Sequence, residues 1–154
     1  RIGSRLGSRH PSPAEVSLGH VVAFCRRGGG YDGQRDGWLV RAESHDGGVT
    51  WREGTDSQFP NPNSAVEMIK LAGGKLVLIY NDSFSDRTPL TAAVSSDGGK
   101  TWPVKKNIAV GKDSYAYPSA VQARDGRIHL VFTSDGRKVV NHAVFTEKDL
   151  GVAP

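Results

Sequence analysis

Ser44-His45-Asp46-Gly47-Gly48-Val49-Thr50-Trp51 is the stretch that decides the fold, because it recurs 51 residues later as Ser95-Ser96-Asp97-Gly98-Gly99-Lys100-Thr101-Trp102. Both copies can be written S-x-D-G-G-x-T-W, and the offset is the same at every position. A constant offset of about 50 residues is typical of repeat folds, in which each period contributes one supersecondary unit. The sequence therefore predicts one structural unit that is repeated along the chain.

The residue types in this pattern predict a tight hairpin. An Asp at the third position accepts hydrogen bonds from nearby backbone N–H groups. The two glycines permit the positive φ that a tight hairpin needs, and the Thr and Trp suit the start of the next strand. The Trp is large enough to fill space between adjacent sheets. The residues assigned to this structural role are Ser44, Asp46, Gly48, Thr50, Trp51, Ser95, Asp97, Gly99, Thr101 and Trp102.

Three units can be aligned, each with an inner strand, a Gly-centred turn, a second strand, a loop and a third strand. The predicted inner strands are residues 14–18, 64–71 and 119–123, the second strands 21–24, 76–80 and 128–132, and the third strands about 38–44, 89–95 and 139–144. Both S-x-D-G-G-x-T-W copies then lead into a fourth strand. The second strands are nearly continuous apolar runs, as expected when both faces of a sheet are covered. The only predicted helical turn is 146–150.

The predicted fold is all-β, with four-stranded antiparallel sheets arranged as the blades of a β-propeller. The predicted parts of the chain are a flexible arm at residues 1–9 and three blades at about residues 10–58, 59–112 and 113–154. Three blades do not close a ring, and an open end exposes strand edges and sheet faces. We expect half of a six-bladed ring. The chain would be part of a longer propeller, would assemble with a second copy, or would exchange strands with one.

The composition narrows the choice of partners. The chain has 154 residues, 37% of them hydrophobic, and a formal net charge of +4, which favours acidic partners such as anionic sugars. No nucleic-acid-reading motif is present, so no nucleic-acid partner is expected. No apolar run approaches the roughly 18 residues of a membrane span, and no signal peptide assigns a compartment. The five histidines lack metal-ligand spacing, so no metal and no cofactor are expected.

Strand alternation sorts the loops onto two rims. Loops between second and third strands share one rim with the links between units, and the S-x-D-G-G-x-T-W turns lie on the other. Candidate binding residues on the first rim are Arg26, Arg35, Asn63, Asn81, Arg87, Tyr115 and Arg137. Three converging arginines, Arg35, Arg87 and Arg137, would hold a carboxylate through paired hydrogen bonds. The alternative is that all three are solvated loop residues.

A tyrosine and a glutamate are the candidate catalytic pair. Tyr117 precedes the third inner strand, where its side chain would point toward the propeller axis, and a tyrosine can act as a nucleophile beside a carboxylate. Glu67 lies on the second inner strand and could be the base for Tyr117 or for Tyr115. The alternative is a packed tyrosine and an ion-paired glutamate. Asp82 is the candidate acid, with Asp135 as a second choice, although both also suit ordinary turns.

The chain resembles the sialidase-like family of Asp-box propellers over about residues 10–146. The resemblance is carried by the two boxes and by Phe59–Ser64, Tyr80–Ser83, Arg87–Leu90 and Tyr115–Pro118. Sialidases use an arginine triad on the substrate carboxylate, a Tyr–Glu nucleophile pair and an Asp acid. The resemblance therefore implies that Arg87 and Arg137 are triad members, that Tyr117 is the nucleophile and that Glu67 is its partner.

The chain also departs from that family. The family domain is about twice as long, and the Arg-Ile-Pro signature of many sialidases is matched only distantly by Arg9-His10-Pro11. No acid from a first-blade loop can be assigned.

The expected function is an exo-acting glycoside hydrolase, or a partial and inactive version of one, that acts on an acidic sugar. The alternatives are a carbohydrate-binding propeller without turnover and a structural repeat module. A binding module would need exposed aromatic platforms, whereas the tryptophans are assigned to the boxes and, for Trp38, to a strand.

Overall fold

A computed structural model describes residues 9–26 and 37–152, which form three antiparallel sheets. The first blade consists of β1 (Arg9–Ser17), β2 (His20–Arg26), β3 (Trp38–Ser44) and β4 (Thr55–Pro60). The second consists of β5 (Glu67–Lys70), β6 (Leu76–Asn81), β7 (Leu90–Ser95) and β8 (Val104–Ala109). The third consists of β9 (Ala116–Gln122), β10 (Ile128–Ser134) and β11 (Val139–Phe145), with a 3₁₀ turn at Asp135–Arg137. The expected blades are thus present, the third with three strands in the described part.

The three sheets fan outward from neighbouring inner strands. In each sheet the strands follow one another in chain order, and β5 contacts both β1 and β9. The Met68 N–H of β5 donates to Ser12 Oγ of β1 over 2.6 Å. On the other side of β5, the Ala120 N–H of β9 lies 3.5 Å from Glu67 Oε1. The inner strands therefore stand side by side, as they do around the axis of a propeller.

Two apolar clusters hold the blades together, one on each face of the middle sheet. Every residue of β6 and β7 is buried, because the first blade covers one face of the sheet and the third blade covers the other. Between the first two blades, the Trp102 ring packs edge-on against Phe24 and Phe59 with centroid distances of 5.6 and 5.4 Å. The middle blade thus shows the continuous apolar pattern that its sequence predicts.

The second Asp-box closes its hairpin through its own side chains. Ser95 Oγ donates to Asp97 Oδ1 over 2.8 Å and accepts from the Gly99 N–H over 2.9 Å. The Thr101 N–H and hydroxyl donate to the Asp97 carboxylate over 2.9 and 2.6 Å. The Trp102 indole N–H donates to the Gly99 carbonyl over 3.2 Å. The first box repeats all five bonds with Ser44, Asp46, Gly48, Thr50 and Trp51.

The loops divide between two rims. The loop rim consists of residues 61–66, 82–89, 110–115 and 135–138, and the box rim consists of the two boxes with the turns 18–19, 71–75 and 123–127. Neighbouring segments of each rim are bonded to one another. The Tyr115 N–H donates to the Arg87 carbonyl on the loop rim, and the Gly47 N–H donates to the Gly19 carbonyl on the box rim, each over 2.9 Å.

Several expected boundaries change. Strand β1 begins at Arg9 rather than residue 14, because its first residues pair with the end of β2 through a register shift. Strand β5 begins only at Glu67, because the Asn61 side chain bonds both the N–H and the carbonyl of Ser64 and holds a turn there. Residues 146–150 do form a turn, in which the Leu150 N–H donates to the Thr146 carbonyl over 3.3 Å. The arm predicted at 1–9 lies outside the described residues except for Arg9.

No helix in the described ranges is long and apolar enough to cross a lipid bilayer.

Candidate functional site

Four of the predicted binding residues meet on the loop rim between the second and third blades. Arg87 Nη2 donates to the Asn63 carbonyl over 2.9 Å. The Tyr115 N–H donates to the Arg87 carbonyl, and Asn81 Nδ2 donates to the Tyr115 carbonyl over 3.2 Å. These bonds tie the link that precedes β5, the β6–β7 loop and the link that precedes β9 into one cluster. We call Asn63, Asn81, Arg87 and Tyr115 the loop-rim cluster.

The two asparagines of this cluster carry unpaired acceptors. The side-chain oxygens of Asn63 and Asn81 are buried and accept no hydrogen bond in the described part of the chain. Asn63 also adopts a left-handed backbone, with φ of 64°. Buried polar atoms without a partner are uncommon in folded proteins, so these two oxygens are an unusual feature of the cluster.

Tyr115 is the packed member of the tyrosine pair. Its ring lies edge-on to the buried ring of Phe132, with centroids 5.8 Å apart. Its side chain also packs against the core cluster between the second and third blades. This environment agrees with the packing alternative for Tyr115 and leaves Tyr117 as the accessible phenol.

Tyr117 lies at the loop-rim end of β9 beneath an arginine. Its side chain is 45% exposed, and the Arg137 guanidinium carbon lies 5.7 Å from the ring centroid. A guanidinium at this distance makes a cation–π contact. Tyr117 and Arg137 both adopt positive φ, at 53° and 75°. Such strained backbone costs about 1–3 kcal/mol per residue and is concentrated at functional sites.

Glu67 lies at the corresponding end of the neighbouring inner strand. Its carboxylate lies 3.5 Å from both Ser12 Oγ of β1 and the Ala120 N–H of β9. Burial raises the pKa of Glu67 above its usual value, and the two hydrogen bonds only partly offset this effect. A carboxylate with a raised pKa is a better proton acceptor near neutral pH. We call the loop-rim ends of β1, β5 and β9 the axial mouth.

Tyr117 and Glu67 lie on neighbouring inner strands but are not bonded to each other in the structure. Within residues 9–26 and 37–152 no hydrogen bond joins them, and the partner of Glu67 on β9 is Ala120. Three strand residues span roughly 10 Å. A direct hydrogen bond would require both side chains to lean along their strands toward each other, and catalytic hydrogen bonds often form only once substrate is bound.

The remaining candidates lie elsewhere. Asp82 Oδ2 lies 3.4 Å from Lys105 Nζ on the outermost strand of its blade, and the structure does not bring it to Tyr117. It also lies beside Tyr80, whose pKa is raised by burial and then by the charge of Asp82. Arg26 is the half-buried last residue of β2. Arg35 lies outside the described residues.

Sequence reasoning missed an aromatic pair on the loop rim. Trp38 was assigned to a strand and does begin β3, but 38% of its side chain is exposed. It packs edge-on against Phe84 of the β6–β7 loop, which is 51% exposed, with centroids 4.8 Å apart. The position of Phe84 between two polar turn residues was the available signal. The expectation that no tryptophan offers an exposed face is therefore wrong.

Comparison with known proteins settles the family. Residues 2–130 match the sequence model of a family described as the BNR repeat-like domain. The chain belongs to this family. The BNR-repeat chain is also 30% identical over 137 residues to a sialidase from Micromonospora viridifaciens, a match that covers 82% of this chain and 20% of that protein. The sialidase-like resemblance expected from the two boxes is confirmed.

Solved structures agree on the fold. NanB sialidase from Streptococcus pneumoniae superposes with a TM-score of 0.77 at 19% identity, covering 90% of the BNR-repeat chain and 23% of its own. The α-L-arabinofuranosidase Arb93a from Fusarium graminearum superposes with a TM-score of 0.68 at 16% identity, covering 91% and 45%. The BNR-repeat chain thus spans less than half the length of each of these relatives. Its blades are those of a sialidase-like propeller, a fold that these two proteins use on different sugars.

Proposed function

We propose that the BNR-repeat chain supplies part of the active site of an exo-acting glycosidase that acts on an acidic sugar. The main support is the position of Tyr117, an exposed phenol on a strained backbone beneath the Arg137 guanidinium. Glu67, the proposed base, begins the adjacent inner strand at the same axial mouth. The sialidase names of several relatives favour a sialic-acid-like substrate.

In the proposed reaction Tyr117 is the nucleophile. Its Oη bonds to the anomeric carbon while its proton passes to Glu67, and the glycosidic C–O bond breaks with its electron pair leaving on the departing oxygen. Water then attacks the anomeric carbon as the bond from that carbon to Tyr117 Oη breaks, and Glu67 returns a proton to the phenolate. The proton that the water loses passes to solvent, where it neutralises the charge on the departed oxygen. The Arg137 cation over the ring favours the developing negative charge on Tyr117.

Substrate binding is assigned to the loop-rim cluster. Arg87 commits one terminal nitrogen to the Asn63 carbonyl, and the other donors of its guanidinium suit a sugar carboxylate. Asp82 was predicted as the acid, but its pairing with Lys105 directs it toward the outer strand. The proposed chemistry therefore does not use Asp82.

A fluorogenic sialoside with a phenolic leaving group tests the proposal, because such a leaving group departs with little help from an acid. Tyr117→Phe is expected to lower kcat by at least ~10³-fold. Arg87→Ala is expected to raise KM by roughly 10- to 100-fold, because a charge-assisted hydrogen bond is lost. Tyr80→Phe is the matched control, because it removes the hydroxyl of a fully buried tyrosine outside the loop-rim cluster, and it should retain activity. Equal and measurable turnover by the unsubstituted chain and by Tyr117→Phe would refute the proposal.

The Trp38–Phe84 pair favours a second candidate, a carbohydrate-binding propeller without turnover. Exposed aromatic faces suit the apolar faces of sugars. In that case calorimetry with sialic acid would show binding that Trp38→Ala and Phe84→Ala weaken, Tyr117→Phe would bind as well as the unsubstituted chain, and no fluorophore would be released. Absence of both binding and turnover would instead favour the structural repeat module.

A further inference from the structure

Two histidines and a glutamate meet on the box rim of the first blade. His20 begins β2, Glu43 lies near the end of β3, and His45 occupies the variable second position of the first box. One nitrogen from each imidazole and one Glu43 oxygen all lie within 4.8 Å of one another. The histidines were expected to lack metal-ligand spacing, and along the sequence they do. Cross-strand pairing brings them together.

Both imidazoles direct a nitrogen at the same carboxylate. His20 Nε2 lies 3.6 Å from Glu43 Oε1, and His45 Nε2 lies 3.8 Å from Glu43 Oε2. The two rings are stacked, with centroids 4.3 Å apart and an angle of 18° between their planes. His20 Nε2 is buried and has no hydrogen-bond partner among the described residues. A buried ring nitrogen without a partner, aimed at a carboxylate, is an independent indication of a ligand.

We propose that His20, Glu43 and His45 bind a divalent transition-metal ion of the Zn²⁺ class. Two imidazoles and one carboxylate form a donor set that suits Zn²⁺ and leaves a further position for water. An ion about 2.1 Å from each ligand atom in tetrahedral geometry holds those atoms roughly 3.4 Å apart, which is close to the observed N···O distances. Rotation of at least one imidazole out of the stack would bring both ring nitrogens onto the ion and complete the site.

One cationic side chain already contacts the proposed ligand set. Arg41 Nη2 already donates to Glu43 Oε1, so the guanidinium competes with an incoming ion and affinity should be moderate.

The three proposed ligands are not part of the pattern that the two blades share. Val21 pairs with Ser44 in the first blade as Leu76 pairs with Ser95 in the second, which makes the two blades directly comparable. The second-blade equivalents of the three proposed ligands are Lys75, Val94 and Ser96. The first blade therefore carries a ligand set that its structural twin lacks. A bound ion would clamp β2 to the first box and so add to the Val21–Ser44 pairing and to the Gly47 N–H bond to the Gly19 carbonyl.

Calorimetric titration of the full chain with ZnCl₂, in buffer free of chelator and phosphate, tests the site. One equivalent is expected to bind, and His45→Ser, which installs the residue of the second box, should weaken binding roughly 10-fold or more. Glu43→Gln should do the same. His142→Ala is the control, because His129 Nδ1 and His142 Nε2 form another surface pair, 3.1 Å apart, that belongs to no three-residue ligand set among the described residues. This control should bind like the unsubstituted chain.

A second measurement, the melting temperature, distinguishes loss of the metal site from poor folding of a variant. Zn²⁺ should raise the melting temperature of the chain, EDTA should reverse the rise, and His45→Ser should show no rise. Absence of Zn²⁺ binding, unchanged binding in His45→Ser, or loss of binding in His142→Ala would each overturn the proposal.

Discussion

At the scale of single residues, the Asp of each box is held by several hydrogen bonds from its own hairpin. The Thr50 hydroxyl and N–H, together with the Ser44 hydroxyl, hold the pKa of Asp46 at about 2 although the side chain is exposed. The equivalent bonds from Thr101 and Ser95 lower the pKa of Asp97 still further. Local hydrogen bonds therefore fix these carboxylates in their ionised form.

Acid should weaken the first box. The folded-state pKa of Asp46 lies below the unfolded value of 3.8, so its contribution to stability is complete above pH 4 and is lost as pH falls toward 2. Asp46→Asn is expected to lower the melting temperature at pH 7 by a few degrees, and the difference should shrink between pH 4 and pH 2. Thermal melts followed by circular dichroism check this. A difference that is independent of pH would contradict it.

Glu67 gives a second pH signature. As a base it must be ionised, and burial raises its pKa above the ordinary 4.5. The acidic limb of kcat/KM on a sialoside should therefore lie above pH 4.5 and disappear with the activity in Glu67→Gln. Glu53→Gln, at an exposed position outside the mouth, should keep the limb unchanged. A limb that survives in Glu67→Gln would show that another group is the base.

At the scale of strands and hairpins, the two boxes differ in what their tryptophans hold. Trp102 is only 7% exposed and packs against Phe24 and Phe59 between two blades. Trp51 is half-buried and stands outside both core clusters. The two identical sequence patterns therefore contribute unequally to the stability of the fold, because that contribution depends on whether a neighbouring blade covers the hairpin.

Trp102→Ala should therefore cost about 3–5 kcal/mol of unfolding free energy, the usual range for deleting a buried aromatic side chain. Trp51→Ala, the same change in the other box, should cost about 1 kcal/mol. Urea unfolding of the two variants measures both values. Equal losses would contradict the assignment of Trp102 to the interface between the first two blades.

Hairpins and second strands could be predicted from the sequence because their signals are local. The box chemistry lies within eight residues, and apolar runs such as Leu76–Tyr80 directly indicate a covered sheet. The contacts that make the sites are not local. The approach of Ser12 and Ala120 to Glu67 depends on blade packing, and the meeting of His20 with His45 depends on strand register. Neither leaves a pattern in the linear sequence.

At the scale of the whole molecule, the third blade has one open face. The register of β9, β10 and β11 places four valines on it with His129 and His142, and these exposed residues are Val121, Val131, Val140 and Val144. The equivalent face of the second blade is covered by the third blade. Exposed apolar faces of this kind promote association.

The chain should therefore associate in a concentration-dependent way in analytical ultracentrifugation. Val140→Lys with Val144→Lys should shift the chain toward monomer. Val49→Lys is the matched control, because it adds the same charge at the box position where the second copy already has Lys100. A chain that stays monomeric at all concentrations, with a cooperative melt, would show that the open face needs no partner.

The most direct test of the account is to trap the sugar on the protein. A sialosyl fluoride with a second fluorine beside the anomeric carbon slows release, because fluorine disfavours the oxocarbenium-like transition state. Peptide mass spectrometry is predicted to find the sugar on Tyr117 and to find no adduct in Tyr117→Phe. An adduct on Tyr115 or another residue, or an unlabelled chain, would contradict the assignment of Tyr117 as the nucleophile of the axial mouth.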